Sequence, residues 1–256
     1  MKAILARRQF LSLTASAVAG VLLEGGAAST VATDLRVQAI AFDAFPIFDP
    51  RPVFALAEQL FPGRGGELSN EWRTRQFEYT WLRVAAGHYA DFWHVTQDAL
   101  EFASNKLSLE LSPEKRKKLM SAYLELKPWP DVPAALTSLK QSGFRLAFLS
   151  NFTRAMLDAN IESAGLAGRF EQIISTDQAK TYKPDPRAYK LGVDSLKLRR
   201  EEILFVAFAG WDAAGAKLFG YPTFWVNRQK LPTERLDATP DGVGESLTQL
   251  LQFLKV

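Results

Sequence analysis

The chain has 256 residues, 47% hydrophobic and 12% aromatic, which suffices for one large core or a core with a smaller lid and excludes a disordered chain. It has no cysteine, excluding disulfides, thiolate nucleophiles and zinc–cysteine sites. The formal net charge is +3, of which Lys2, Arg7, Arg8 and Glu24 supply +2, so no nucleic-acid partner is expected.

Residues 1–30 read as an export signal. Arg7-Arg8-Gln9-Phe10-Leu11 has the twin-arginine pattern, and Leu11 to Leu23 is apolar but too short for a comfortable membrane span. Small residues follow from Gly25 to Thr30, suiting cleavage. The expected location is therefore periplasmic, by twin-arginine export of the folded protein, with no stable membrane insertion once the signal is removed. The alternative is an N-terminal helix on a cytoplasmic protein.

From Val37 a nearly continuous apolar run predicts a strand buried on both faces, ending at Asp43 where Pro46 must break the ladder. A carboxylate at a strand's C-terminal end is a candidate nucleophile or metal ligand, or simply a turn cap. Residues 50–125 read as helical. Within them Trp72, Gln76, Phe77, Thr80, Trp81 and Val84 recur at helical spacing, giving one apolar stripe, with Arg73 and Arg75 beside it as candidates to hold an anion. Lys115 to Lys118 follow a Ser-Pro-Glu helix start and read as a solvated face. His88 and His94 lack metal-ligand spacing and read as ordinary polar positions.

After Pro130 strand and helix alternate. Val132 to Gln141 is predicted as a helix, Phe144 to Leu149 as a strand ending at Ser150-Asn151, Thr153 to Ala164 as a helix and Gln172 to Ser175 as a strand. A turn then carries Lys183, with Tyr189 in the helix behind it. Ile203 to Phe208 and Thr223 to Val226 are strands, and Leu247 to Phe253 is a closing helix. The alternation predicts an α/β fold with a doubly wound parallel sheet, in which residues 34–49 and 126–256 form the core and residues 50–125 an inserted helical cap. That topology gathers Asp43, Ser150, Asn151, Lys183 and Asp212 at one edge. There a lysine could hold a carboxylate nucleophile ionised, and a second carboxylate could orient water.

Phe42-Asp43, Leu149-Ser150-Asn151, Tyr182-Lys183-Pro184-Asp185 and Trp211-Asp212, in this order, resemble the haloacid dehalogenase superfamily. The helix motif from Trp72 to Arg83, with Phe61 to Gly65 before it and Phe219 to Thr223 after, resembles the L-2-haloacid dehalogenases more narrowly. The likeness covers about residues 36–230. It implies a metal- and cofactor-free hydrolysis in two steps: Asp43 displaces halide from a short 2-haloalkanoic acid, and water cleaves the aspartyl ester. On the family pattern Arg73 and Asn151 take the halide, Ser150 the substrate carboxylate, and Lys183 and Tyr189 hold Asp43 and the substrate in line. Asp212 orients water, and Phe45, Phe77, Phe92 and Trp211 line the alkyl pocket. A homodimer is also implied.

The chain departs from that pattern at Pro46-Ile47, where the family has a Gly-Thr pair, and at Ala207 and Ala209, where it has serine and asparagine. Those side chains belong to the hydrolytic half of the cycle, so the first step is expected to survive better than the second. Two alternatives stand beside this reading. One is a catalytically degraded relative that binds small carboxylates. The other is a phosphatase of the same superfamily, disfavoured because Phe45 occupies the position of its general acid and Ala207-Phe208-Ala209 offer no carboxylate.

Overall fold

The computed structural model describes residues 37–256, and the export signal read in residues 1–30 lies outside them. Strands β1 (Ala39–Phe42), β2 (Phe48–Asp49), β3 (Lys127–Pro128), β4 (Arg145–Ser150), β5 (Gln172–Ser175), β6 (Ile203–Ala207), β7 (Thr223–Val226) and β8 (Gly242–Gly244) form two sheets. The larger is parallel throughout, in the order β5-β4-β1-β6-β7-β8. The chain leaves β1 on one side toward β4 and β5, then returns to build β6, β7 and β8 on the other, so the order switches at β1. In open α/β sheets the crevice beyond such a switch point is where ligands sit. β2 and β3 pair antiparallel in a two-stranded ribbon, too short to leave a readable period in the sequence.

Alternation along the strands sorts the core into two layers. Ile40, Phe42, Leu146, Phe148, Leu204 and Val206 pack on one face. That face is covered by α5 (Val132–Gln141), α6 (Arg154–Ser163) and α9 (Leu247–Leu254). Ala39, Ala41, Ala147 and Ala207 lie on the other with Tyr189, Leu196, Ala213 and Ala216, from α7 (Pro186–Leu196) and α8 (Gly210–Phe219). Small strand residues let α7 and α8 approach closely. A Cβ at Gly192 or Gly215 would meet the Tyr221 or Tyr189 hydroxyl at 2.5 and 2.6 Å, so bare backbone is required there.

Between β2 and β3 run α1 (Arg51–Leu60), α2 (Gly65–Ala85), α3 (Phe92–Lys106) and α4 (Pro113–Ala122). Asp91 and Ser112 cap α3 and α4 by accepting from the backbone N–H three residues on, and Pro113 occupies the first-turn position where its missing donor costs nothing. The stripe on α2 divides in two. Trp72, Gln76 and Thr80 are buried, with Trp72 Nε1 donating to the Thr96 carbonyl at 2.8 Å and Gln76 Nε2 to Thr96 Oγ1 at 2.6 Å. Phe77 and Trp81 instead stack together and turn toward Trp211.

The passage from α4 back to the sheet is fastened by one buried side chain. Asn160 on α6 accepts from Leu126 N and donates to the Tyr123 and Met156 carbonyls, each at 2.8 Å. A second fastening lies under the segment after Asp43. The Trp129 indole donates to the Phe45 carbonyl at 2.9 Å, the Trp129 backbone N–H to the Ile47 carbonyl at 3.0 Å, and Arg228 to the Pro46 carbonyl at 3.2 Å. The guanidinium groups of Arg51 and Arg228 lie 4.5 and 4.4 Å from the centre of the Trp129 ring. Replacing Asn160 with alanine leaves the Leu126 donor and the Tyr123 acceptor buried without partners, so urea unfolding of Asn160→Ala is expected to fall short of the parent by about 3 kcal/mol.

Candidate active site

β1 delivers Asp43 to the end of the sheet, where its N–H makes a last ladder bond to the Val206 carbonyl at 3.0 Å. The side chain is 12% exposed. Lys183, fully buried, reaches it from the turn before α7: its ammonium donates to Asp43 Oδ1 at 2.8 Å and to Asp212 Oδ2 at 2.6 Å. Ser150 Oγ approaches Asp43 Oδ1 at 3.4 Å, and the Phe45 N–H donates to Oδ2 at 3.2 Å. Oδ1 is therefore crowded by donors, and Oδ2 is the less restrained oxygen.

Asp212 sits in the first turn of α8 with both oxygens engaged, Oδ2 by Lys183 and Oδ1 by the Tyr189 hydroxyl at 2.7 Å. Burial pushes its carboxyl up to about 6, and the charge of Asp43 adds to this against the pull of Lys183. Burial works against the Lys183 ammonium, but the charges of Asp212 and Asp43 more than offset it and raise its pKa. Burial raises the Tyr189 phenol well above its ordinary value, so it stays a donor. Tyr189 is completely buried and off the cavity. The resemblance implies that it holds Asp43 and the substrate in line; in the structure its hydroxyl donates to Asp212.

These groups face a cavity of about 380 Å³ between α1, α2, the start of α3 and the strand ends. Asp43, Arg73, Ser150, Asn151 and Asp212 lie on its wall, as do Phe45, Phe77, Phe92 and Trp211. Asn151 uses its carboxamide oxygen to accept from Lys183 N at 3.0 Å and Thr176 Oγ1 at 3.2 Å, which aims its amide nitrogen elsewhere. Arg73 is exposed on the wall and makes no hydrogen bond or ion pair with another described residue. Arg75 does not share the site: it pairs with Glu71 and Glu78 and lies over the Phe102 ring.

Of the four departing positions, only Ala209 is on the cavity wall, and Pro46 is buried. Ile47 and Ala207 are fully buried in the two core layers. Several wall residues left no sequence signal as site residues. Tyr123 and Phe152 belong to the aromatic lining, and Trp81 also donates its indole N–H to the Lys183 carbonyl at 3.3 Å. Phe152 follows Ser150-Asn151 directly, which was the one available hint.

Comparison with known proteins agrees with this geometry. The haloacid dehalogenase-like hydrolase model matches residues 19–220. The (S)-2-haloacid dehalogenase of Pseudomonas sp. strain YL is 41% identical over 220 residues, covering 86% of this chain and 95% of that protein. Among solved structures, the L-2-haloacid dehalogenase RSc1362 superposes with a TM-score of 0.85 at 41% identity, covering 86% of this chain and 99% of the other. The Xanthobacter autotrophicus L-2-haloacid dehalogenase with chloropropionic acid covalently bound superposes with a TM-score of 0.79 at 33% identity, covering 86% and 98%. The chain belongs to the haloacid dehalogenase-like hydrolases. Within them it groups with the (S)-2-haloacid dehalogenases, hydrolases that act on carbon–halide bonds.

Removing the cation from this cluster tests its electrostatics. In Lys183→Met, Asp43 and Asp212 lose their shared counter-charge, and the folded state must hold a proton that the unfolded chain releases near the ordinary carboxylate value. The variant is expected to be about 3–5 kcal/mol less stable than the parent at neutral pH. The folded pKa being raised, the stability lost grows as pH rises from about 4 to about 8, which denaturant melts across that range measure.

Proposed function

We propose that this protein hydrolyses 2-haloalkanoic acids through an aspartyl ester on Asp43. The supporting observation is a carboxylate held by a buried lysine on the wall of an aromatic cavity, with the guanidinium of Arg73, unpaired among the described residues, on the same wall. In the first step Asp43 Oδ2 attacks C2, a carbon–oxygen bond forms, the carbon–halogen bond breaks and halide leaves. In the second, water adds to the aspartyl carbonyl, and the ester bond breaks to give a 2-hydroxy acid, a proton and free Asp43. Arg73 and the Asn151 amide nitrogen receive the halide, and Ser150 the substrate carboxylate; that all three line the cavity supports this. Fixing the carboxylate and excluding water lowers the barrier through orientation and lost solvation. A covalent chloropropionate in a 33% identical structure supports the first step.

The second step is the weaker one here. Ala209 offers no side-chain donor or acceptor at the N-terminus of α8, where the family has asparagine, and no side chain caps that helix. Losing one positioned polar group costs on the order of 3 kcal/mol, about a hundredfold in rate. Purified protein mixed with L-2-chloropropionate is therefore expected to carry a long-lived adduct on Asp43 by intact mass. Asp43→Asn forms none, and Ala209→Asn shortens the adduct's life. Fast multiple turnover without adduct rejects the impaired second step. A rise in melting temperature with neither adduct nor halide release favours the second reading, a carboxylate binder that has lost its chemistry.

We also propose export by the twin-arginine route, on the order of the arginine pair, apolar stretch and small-residue exit in residues 1–30. Fractionation of cells expressing the full chain is expected to place it in the periplasm, and Arg7→Lys with Arg8→Lys to retain it inside. Cytoplasmic retention of the parent chain rejects the proposal.

A further inference from the structure

The cavity is larger and more aromatic than a three-carbon acid requires. At about 380 Å³ it falls among pockets that bury drug-sized ligands, which span roughly 300 to 1,000 Å³. A chloropropionate would leave most of it empty, and an unfilled apolar void forfeits the contacts of the atoms that line it.

Two aromatic walls face this space. On one, Trp211 meets Phe77 and Trp81 edge-on, with ring centroids 5.5 and 5.4 Å apart. On the other, Phe45 stands edge-on to Phe152 at 5.3 Å and tilted against Phe208 at 5.8 Å. All six rings line the cavity, and aromatic rings are surfaces against which another ring packs. Trp81 is 38% exposed and Leu231, also on the wall, is 51% exposed. Large apolar groups left in water beside a cavity are covered when a bulky apolar substituent enters.

Charge narrows the choice further. Lys183 is committed to two carboxylates, and Arg73 is the remaining cation on the wall among the described residues. Glu78 and Glu234 lie on the same wall, with Glu78 paired to Arg75 and Glu234 packed where a Cβ on Gly210 would be. Such a site suits one anionic group and repels a second. Ala209, in place of a polar side chain, adds a methyl to the apolar floor.

We infer that the site takes monocarboxylates whose C2 substituent is of benzyl size, with the carboxylate toward Ser150, the halide site at Arg73 and Asn151 beside it, and the ring among the aromatic side chains of the wall. The chemistry on such a substrate rests on the dehalogenase reading, whereas the binding preference rests on the cavity alone. The test separates them by pairing inert and reactive ligands. Calorimetric titration of the protein with 3-phenylpropanoate and with propionate, neither of which carries a halogen, is expected to show at least about tenfold tighter binding of the phenyl compound, the ratio that burying a group of that size supports. Halide release from L-2-bromo-3-phenylpropanoate is expected to exceed that from L-2-bromopropionate in kcat/KM by a similar factor. Equal affinity for the two inert acids, or detectable binding of neither, overturns the inference. Tighter binding of the phenyl acid without halide release from either bromide keeps the inference and overturns the dehalogenase reading.

Discussion

The structure turns on one buried ammonium. Lys183 lies out of water between Asp43 and Asp212, a placement that costs several kcal/mol in desolvation unless both partners stay close and charged. Everything around it serves that arrangement. Asn151 fixes the lysine backbone, Tyr189 occupies the far oxygen of Asp212, and the Phe45 N–H and Ser150 hydroxyl bear on Asp43. These groups come from four segments separated by up to 169 positions between Asp43 and Asp212. The parallel sheet is what brings them within one hydrogen-bond network.

The same network separates the two acids by role. Asp43 is the more open of the two to the cavity, while Asp212, on the same wall, is nearly buried with both oxygens bonded. An acid whose oxygens are both engaged sets the orientation and charge of its neighbours more readily than it collects a proton from solvent. Ala209 brings no polar side chain to the cavity wall that it shares with Asp43.

Much of the fold was legible in the sequence. The strands from residue 39 to 226 declare themselves through continuous apolar runs punctuated by Gly, Pro or Asn, and their alternation with helices leaves few topologies. β2 and β3 were not legible because two residues carry no period, nor β8, whose Gly-Val-Gly lacks strand-forming side chains. The polar positions at the sheet edge were readable because the topology alone makes neighbours of strand ends. Side-chain direction was not. Tyr189 reaches Asp212 and not the cavity, and the stripe on α2 splits because that helix packs on α3 with one side and looks into the cavity with the other. Arg73 and Arg75, two residues apart, consequently lie in different surroundings.

The segment after Asp43 has a further implication for the order in which the molecule matures. The carbonyls of residues 45, 46 and 47 are anchored by Trp129 and Arg228, the latter lying 185 positions beyond Asp43. A ribosome synthesising this chain therefore releases most of it before the reactive acid acquires its seat. Partial translation products hold the carboxylate but not its alignment, so the proposed chemistry becomes competent only at the close of assembly.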